Sequence, residues 1–231
     1  MQEETQQIWE LQLDGLILFD SRMAHLRIDD KKYHLPTDLS LSDWMKAAKC
    51  LTAEQSLAVS LGISIEQLRM VDKGIISLMV TLLAEVMYPT VKTNVKVQGK
   101  PLIDFEKMTL GEFIDLDVLS AQGLHKTIDS MANILYGEGQ YTIKEVWGAI
   151  KMFITWKSGL YKSYPMLFKQ GEVKEDSIPE YNEIAKRWFD LVMVLANGDV
   201  LKMDLVTELP VKQAFNWLAW NKDQQRKAQS K

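Results

Sequence analysis

Few residues in this chain have the type and spacing that chemistry requires. His25, His34 and His125 lie far apart, and none has a second ligand at a metal spacing such as H-x-x-x-H. No metal ligand is therefore assigned. Cys50, the single cysteine, has no Cys-x-x-Cys partner and reads as a small buried apolar residue. Asp29 and Asp30 are adjacent, while Asp115 and Asp117 flank Leu116. Paired carboxylates can perform acid–base work or hold Mg²⁺. On a helix, however, Asp115 and Asp117 point about 200° apart, so they are expected to form a solvated helix end. The chain has no G-x-x-x-x-G-K-S/T, no G-x-G-x-x-G and no G-x-S-x-G. No catalytic residue and no cofactor are assigned, and a non-enzymatic protein is expected.

The aromatic residues carry more information. There are seven tryptophans, enough to supply both a core and a contact surface. Trp147 and Trp188 are expected in the core. Trp217 and Trp220 stand at i and i+3 near the chain end, beside Phe215 and Leu218. That helix is apolar around much of its circumference, which points to contact with another chain. Phe113, Phe215, Trp217 and Trp220 are the candidate partner-binding residues. After Asn221, the basic residues Lys222, Arg226, Lys227 and Lys231 read as a frayed, solvated helix end rather than a nucleic-acid site.

Composition narrows the class further. The 231 residues are 47% apolar and 25% charged, which suits a packed core and argues against wholesale disorder. A net charge of −4 argues against a general nucleic-acid binder. The opening MQEETQQ lacks the basic-then-apolar pattern of a secretion signal. The longest apolar run, Ile75 to Ala84, is about half of the roughly 20 residues a spanning helix needs, so it reads as a buried helix. A soluble, cytosolic protein that does not enter a membrane is expected.

The elements that would position these residues follow from periodicity and capping. Residues 8 to 35 read as strands, with Leu26-Arg27-Ile28 and Tyr33-His34-Leu35 forming a hairpin around Asp29 to Lys32. Helices are expected after Ser40, from Thr52 to Gly62, from Ser64, and over residues 75 to 87, with Gly74 as a separator. Residues 90 to 104 change character and hold either a second hairpin around Gln98-Gly99-Lys100 or an extended linker. A domain boundary is placed there, giving an N-terminal domain over 1–90 and a C-terminal one over 91–231. Thr109 and Glu112 form a T-x-x-E capping box, and a second helix covers about Leu124 to Tyr136. Thr142 and Glu145 begin a long helix over 143–168, which Gly159 and Pro165 bend or break. Further helices are expected over 179–196, 199–206 and from Pro210. The expected fold is α+β and predominantly α-helical, a helical bundle with one or two small β-hairpins.

Two stretches resemble each other. Ser40-Leu-Ser-Asp-Trp-Met-Lys-Ala matches Thr109-Leu-Gly-Glu-Phe-Ile-Asp-Leu in residue type at every position but the last two, at an offset of 69 (Ser40 to Thr109). Each follows a candidate hairpin and precedes a helix ending in Gly62 or Gly137. Either an internal duplication or two uses of a common helix-capping pattern accounts for the match.

Longer motifs carry a family resemblance. They are Met108 to Asp117 with the helix running to Ile134-Leu135-Tyr136-Gly137, then Trp188-Phe189, then Leu195 to Asp199. Val206 to Pro210 and Ala214 to Asp223 complete the set. Together they resemble recurring elements of small tailed-phage proteins, the tail-assembly chaperones and minor tail or baseplate components. The resemblance covers about residues 100 to 223. It implies a non-enzymatic bacteriophage assembly protein that binds other phage structural proteins, chiefly tail proteins, through apolar helix faces. It further implies residence in the host cytoplasm or the virion, and it leaves room for a homo-oligomer. A phage early protein that binds a host enzyme or defence factor is the alternative.

Overall fold

The computed structural model describes residues 24–28, 30–168 and 181–229. Residues 8–23 of the stretch read as strands, and the first two residues of the helix expected over 179–196, lie outside them. The fold is α+β and mostly helical, with two small antiparallel hairpins. Two compact units divide it. The described residues before Thr93 and Gln140–Trp147 form the first, and Thr93–Gly139 with the described residues from Gly148 onward form the second.

In the first unit, β1 (His25–Ile28) pairs with β2 (Lys31–His34), with Ile28 opposite Lys31. The connection is therefore two residues long, and Asp30 takes φ 60°, a conformation that Asp tolerates better than most residues. Four helices follow: α1 (Leu41–Ala48), α2 (Ala53–Leu61), α3 (Ile65–Arg69) and α4 (Lys73–Met87). The hydroxyls of Ser40, Thr52 and Ser64 each accept from the amide three residues on, which satisfies donors that the helix itself leaves free. Gly62, at φ 69°, ends α2 in the left-handed conformation that suits glycine.

Helix α4 departs from expectation in two respects. It begins before Gly74 because Asp72 caps it, accepting from the amides of Gly74 and Ile75. It also buries one face only: Ile75, Ile76, Met79, Leu83 and Met87 are inside, while Leu78 is exposed. The Trp44 indole closes its C-terminal end by donating to the Met87 carbonyl at 2.7 Å. Trp44, Tyr88 and Trp147 form an aromatic group, and Trp147 is half-buried.

The second unit begins with the hairpin β3 (Lys96–Val97) and β4 (Lys100–Pro101), turned by Gln98 and Gly99, both at positive φ. Helices α5 (Leu110–Ala121) and α6 (Leu124–Tyr136) pack together. Helix α7 (Ile143–Ser163) starts in the first unit, and its residues from Gly148 belong to the second. Gly159 lies within it unbroken. Helix α8 (Tyr181–Leu195) stops at Asn197 and Gly198, which both take positive φ. A 3-10 turn at Val200–Lys202 leads to α9 (Met203–Thr207), and α10 (Val211–Gln229) completes the described chain. The basic tail from Lys222 is thus a regular continuation of α10 through Gln229, not a dissolving end.

Each unit carries the same backbone stitch between two helix starts. In the first, Leu41 N donates to Tyr141 O at 3.1 Å and Ile143 N to Leu39 O at 2.8 Å, bridging Ser40 to Thr142. In the second, Leu110 N donates to Leu209 O at 2.7 Å and Val211 N to Met108 O at 2.9 Å, bridging Thr109 to Pro210. A residue just before a helix is extended, so its neighbours have free backbone groups to pair. The stitched residues sit at offsets of 69 (Ser40 to Thr109) and 68 (Thr142 to Pro210). The sequence resemblance around Ser40 and Thr109 therefore coincides with equivalent backbone pairing.

Candidate functional site

The second unit places a buried carboxylate beneath a cavity. Helix α5 sets its position. Thr109 Oγ1 accepts from the Glu112 amide at 3.2 Å, and the Glu112 carboxylate accepts from the Thr109 amide at 2.8 Å. With the start so fixed, Leu110, Phe113 and Asp117 fall along one face at helical spacing. Gly111 permits close approach at the same end, since a Cβ there would stand 3.3 Å from Thr207 Cβ.

Asp117 is 7% exposed, which overturns the solvated helix end expected for it. The reason lies on two other helices. Lys157 of α7 donates to Asp117 Oδ1 at 2.9 Å and to Ser120 Oγ at 2.8 Å. Trp188 of α8 donates its indole N–H to Asp117 Oδ2 at 2.8 Å. Tyr161 lines the same cavity as Asp117. Burial first, then the Asp117 charge, pushes the Tyr161 hydroxyl well above its usual range, so it remains a proton donor. The Lys157 ammonium and the Trp188 indole N–H thus satisfy the two carboxylate oxygens out of water. Asp115, by contrast, is exposed.

Aromatic rings surround this group. Phe113 lies 5.6 Å from both Trp188 and Phe215, edge-on to each. Trp188 and Phe215 are nearly parallel at 6.1 Å, and Tyr161 stacks on Phe168 at 4.2 Å. Edge-on and offset contacts of this kind suit the ring quadrupoles. A cavity of about 490 Å³ opens beside them, lined by Asp117, Tyr161, Phe168, Ile184, Trp188 and Leu191 among others.

The four candidate partner-binding residues divide into two pairs. Phe113 and Phe215 are fully buried and touch each other inside the second unit. Trp217 and Trp220 are 42% and 59% exposed on α10. The difference follows from helix geometry. Val211, Ala214, Phe215 and Leu218 form the inward stripe of α10, and Trp217 and Trp220 lie off it. Sequence reasoning missed the Asp117–Lys157 pair, although a signal was present. Asp117 continues the stripe of Leu110 and Phe113, and Lys157 continues that of Ile150 and Phe153, so each charge interrupts an otherwise apolar face.

Among the described residues, no group of three or more His, Cys, Asp or Glu could hold a metal ion. No described helix is long and apolar enough to cross a membrane. Fold and site define a mostly helical α+β chain of two units, one built around an aromatic core with a buried ion pair. Comparison with family models, with curated proteins and with solved structures finds no match.

Proposed function

We propose that the chain is a non-enzymatic assembly protein of a tailed bacteriophage, a tail-assembly chaperone or minor tail component, that binds other phage structural proteins through α10. One observation carries the reading: α10 is apolar on two sides. Its inward stripe fills the core, while Trp217 and Trp220 remain exposed one turn apart on the same flank. Exposed tryptophans supply large, rigid contact area, and such residues dominate binding energy at protein interfaces. The motif resemblance over residues 100 to 223 supplies the phage assignment, and α10 supplies the surface. The mechanism is reversible burial of that flank against a tail protein in the host cytoplasm.

The test is co-expression with the tail proteins of the same phage, followed by pull-down. Trp217→Ala with Trp220→Ala should lose capture of the tail protein while helix content stays intact. Undiminished capture by the double variant refutes the reading. Expression early in infection, with a host enzyme as the captured chain, would instead favour an early host-directed protein.

A further inference from the structure

The hairpin of the first unit has no part in that reading, and it forms a ligand pair that sequence spacing hides. His25 and His34 stand opposite each other in the β1–β2 register. The next pair outward, Ala24 and Leu35, is hydrogen-bonded, with Leu35 N donating to Ala24 O at 2.8 Å. Hydrogen-bonded and non-hydrogen-bonded pairs alternate along an antiparallel ladder. His25 and His34 therefore occupy a non-hydrogen-bonded pair, where Cα atoms come within about 4.5 Å and side chains lie closest. Both rings leave one face of the hairpin, while Leu26 and Ile28 leave the other and are buried. Those two residues anchor β1 and so fix His25, itself 7% exposed; His34 is open to solvent.

The ring geometry suits a shared metal ion. The imidazole centroids are 5.5 Å apart, at an interplanar angle of 47°. Two imidazoles on one tetrahedral ion, at Zn–N of about 2.0–2.1 Å, have centroids roughly 5 Å apart. A small rotation of the exposed His34 ring is enough to bring a nitrogen of each onto one ion, and the terminal torsion of histidine is broad. The neighbours select the kind of metal. Arg27 and Lys32 are the next pair on the same face, with Arg27 3.5 Å from Asp30. Such cations repel Mg²⁺ and Ca²⁺, which are hard ions that take oxygen ligands. Zn²⁺ and its transition-metal neighbours bind imidazole nitrogen directly, and Asp30 offsets part of the local positive charge. We propose that His25 and His34 form a two-nitrogen site for Zn²⁺ or a similar divalent transition ion, completed by water, which ties β1 to β2. An isolated two-stranded hairpin is marginally stable, so a tie made only in the folded form strengthens it by mass action.

Calorimetric titration of the full, untagged chain with Zn²⁺ tests this at about pH 7.5, where ordinary imidazoles are neutral. Zinc should bind saturably and shift the ring NMR resonances of both His25 and His34. His34→Gln, at an exposed position, should weaken binding about tenfold or more, because one of the two protein ligands is gone. His25→Gln should do the same, and His125→Gln should leave binding unchanged. Zinc should also slow amide exchange in β1 and β2 of the unsubstituted chain but not of the His34→Gln chain. Mg²⁺ should produce neither effect. Absence of saturable zinc binding, full zinc affinity in His34→Gln, or loss of binding in His125→Gln would each overturn the proposal.

Discussion

Lys157→Met isolates the energetic role of the buried ion pair. The substitution preserves most of the side-chain volume and removes only the ammonium. Asp117 then keeps one neutral donor, the Trp188 indole at 2.8 Å, and loses the charged one at 2.9 Å. The Lys157 and Asp117 side chains are only 17% and 11% exposed, so water cannot readily take the place of the ammonium. Removing one partner of a buried pair costs about 3–5 kcal/mol. The surviving indole donor places the expected value toward the lower end, about 3 kcal/mol. Adding Asp117→Asn removes the stranded charge and leaves an oxygen for the Trp188 N–H. The double variant should therefore be less destabilised than Lys157→Met alone, by roughly 1–2 kcal/mol. Because the chain has two compact units, a single global unfolding free energy is a poor readout. Amide hydrogen exchange in α5, α7 and α8 reports the relevant opening directly. A Lys157→Met cost below about 1 kcal/mol, or strictly additive single costs in the double variant, would refute the argument.

Two further outcomes follow from the same geometry. Phe215→Ala should destabilise the second unit by about 3–5 kcal/mol, whereas Trp220→Ala should change it by no more than about 0.5 kcal/mol; amide hydrogen exchange in α5 and α10 of the two variants checks the contrast between the buried and the exposed ring. His25 is 7% exposed and lies opposite His34 in the hairpin register, with ring centroids 5.5 Å apart. Burial first, then the charges of Lys32, His34 and Arg27, holds its imidazole below the ordinary 6.5. The folded state thus binds fewer protons than the unfolded one. Hairpin stability is complete above about pH 6.5 and falls as pH drops from there through the folded-state value. An NMR titration of His25 with its midpoint at or above 6.5 would contradict this.

The helix starts were legible because their signals are local. Ser40, Thr52, Ser64 and Thr109 each cap the helix expected after them, with the acceptor and the amide three residues apart. The helix over Leu124–Tyr136 and the hairpin expected around Asp29 to Lys32 are likewise set by short-range patterning and turn chemistry, although the turn is tighter than expected, with β2 starting at Lys31. Gly74 was misread because glycine ordinarily interrupts helices, yet the Asp72 side chain, two residues away, was able to extend the helix past it. The C-terminal tail is helical despite its polarity, since Lys, Arg, Gln and Ala are all good helix formers.

By itself, then, the sequence determined the mostly helical α+β class and most element boundaries. Both depend on interactions a few residues apart. Tertiary structure alone decided which charges are buried and which aromatics remain outside. Asp117 meets Lys157 across 40 residues and Trp188 across 71. The stripe of Leu110 and Phe113 aims Asp117 inward, but nothing within one turn of α5 says which donors meet it there. The same holds for α10. Phe215 and Trp217 are two residues apart and alike in apolar character, yet Phe215 is sealed against Phe113 and Trp188 while Trp217 faces outward. Periodicity yields a stripe, but the neighbour that covers it comes only from packing.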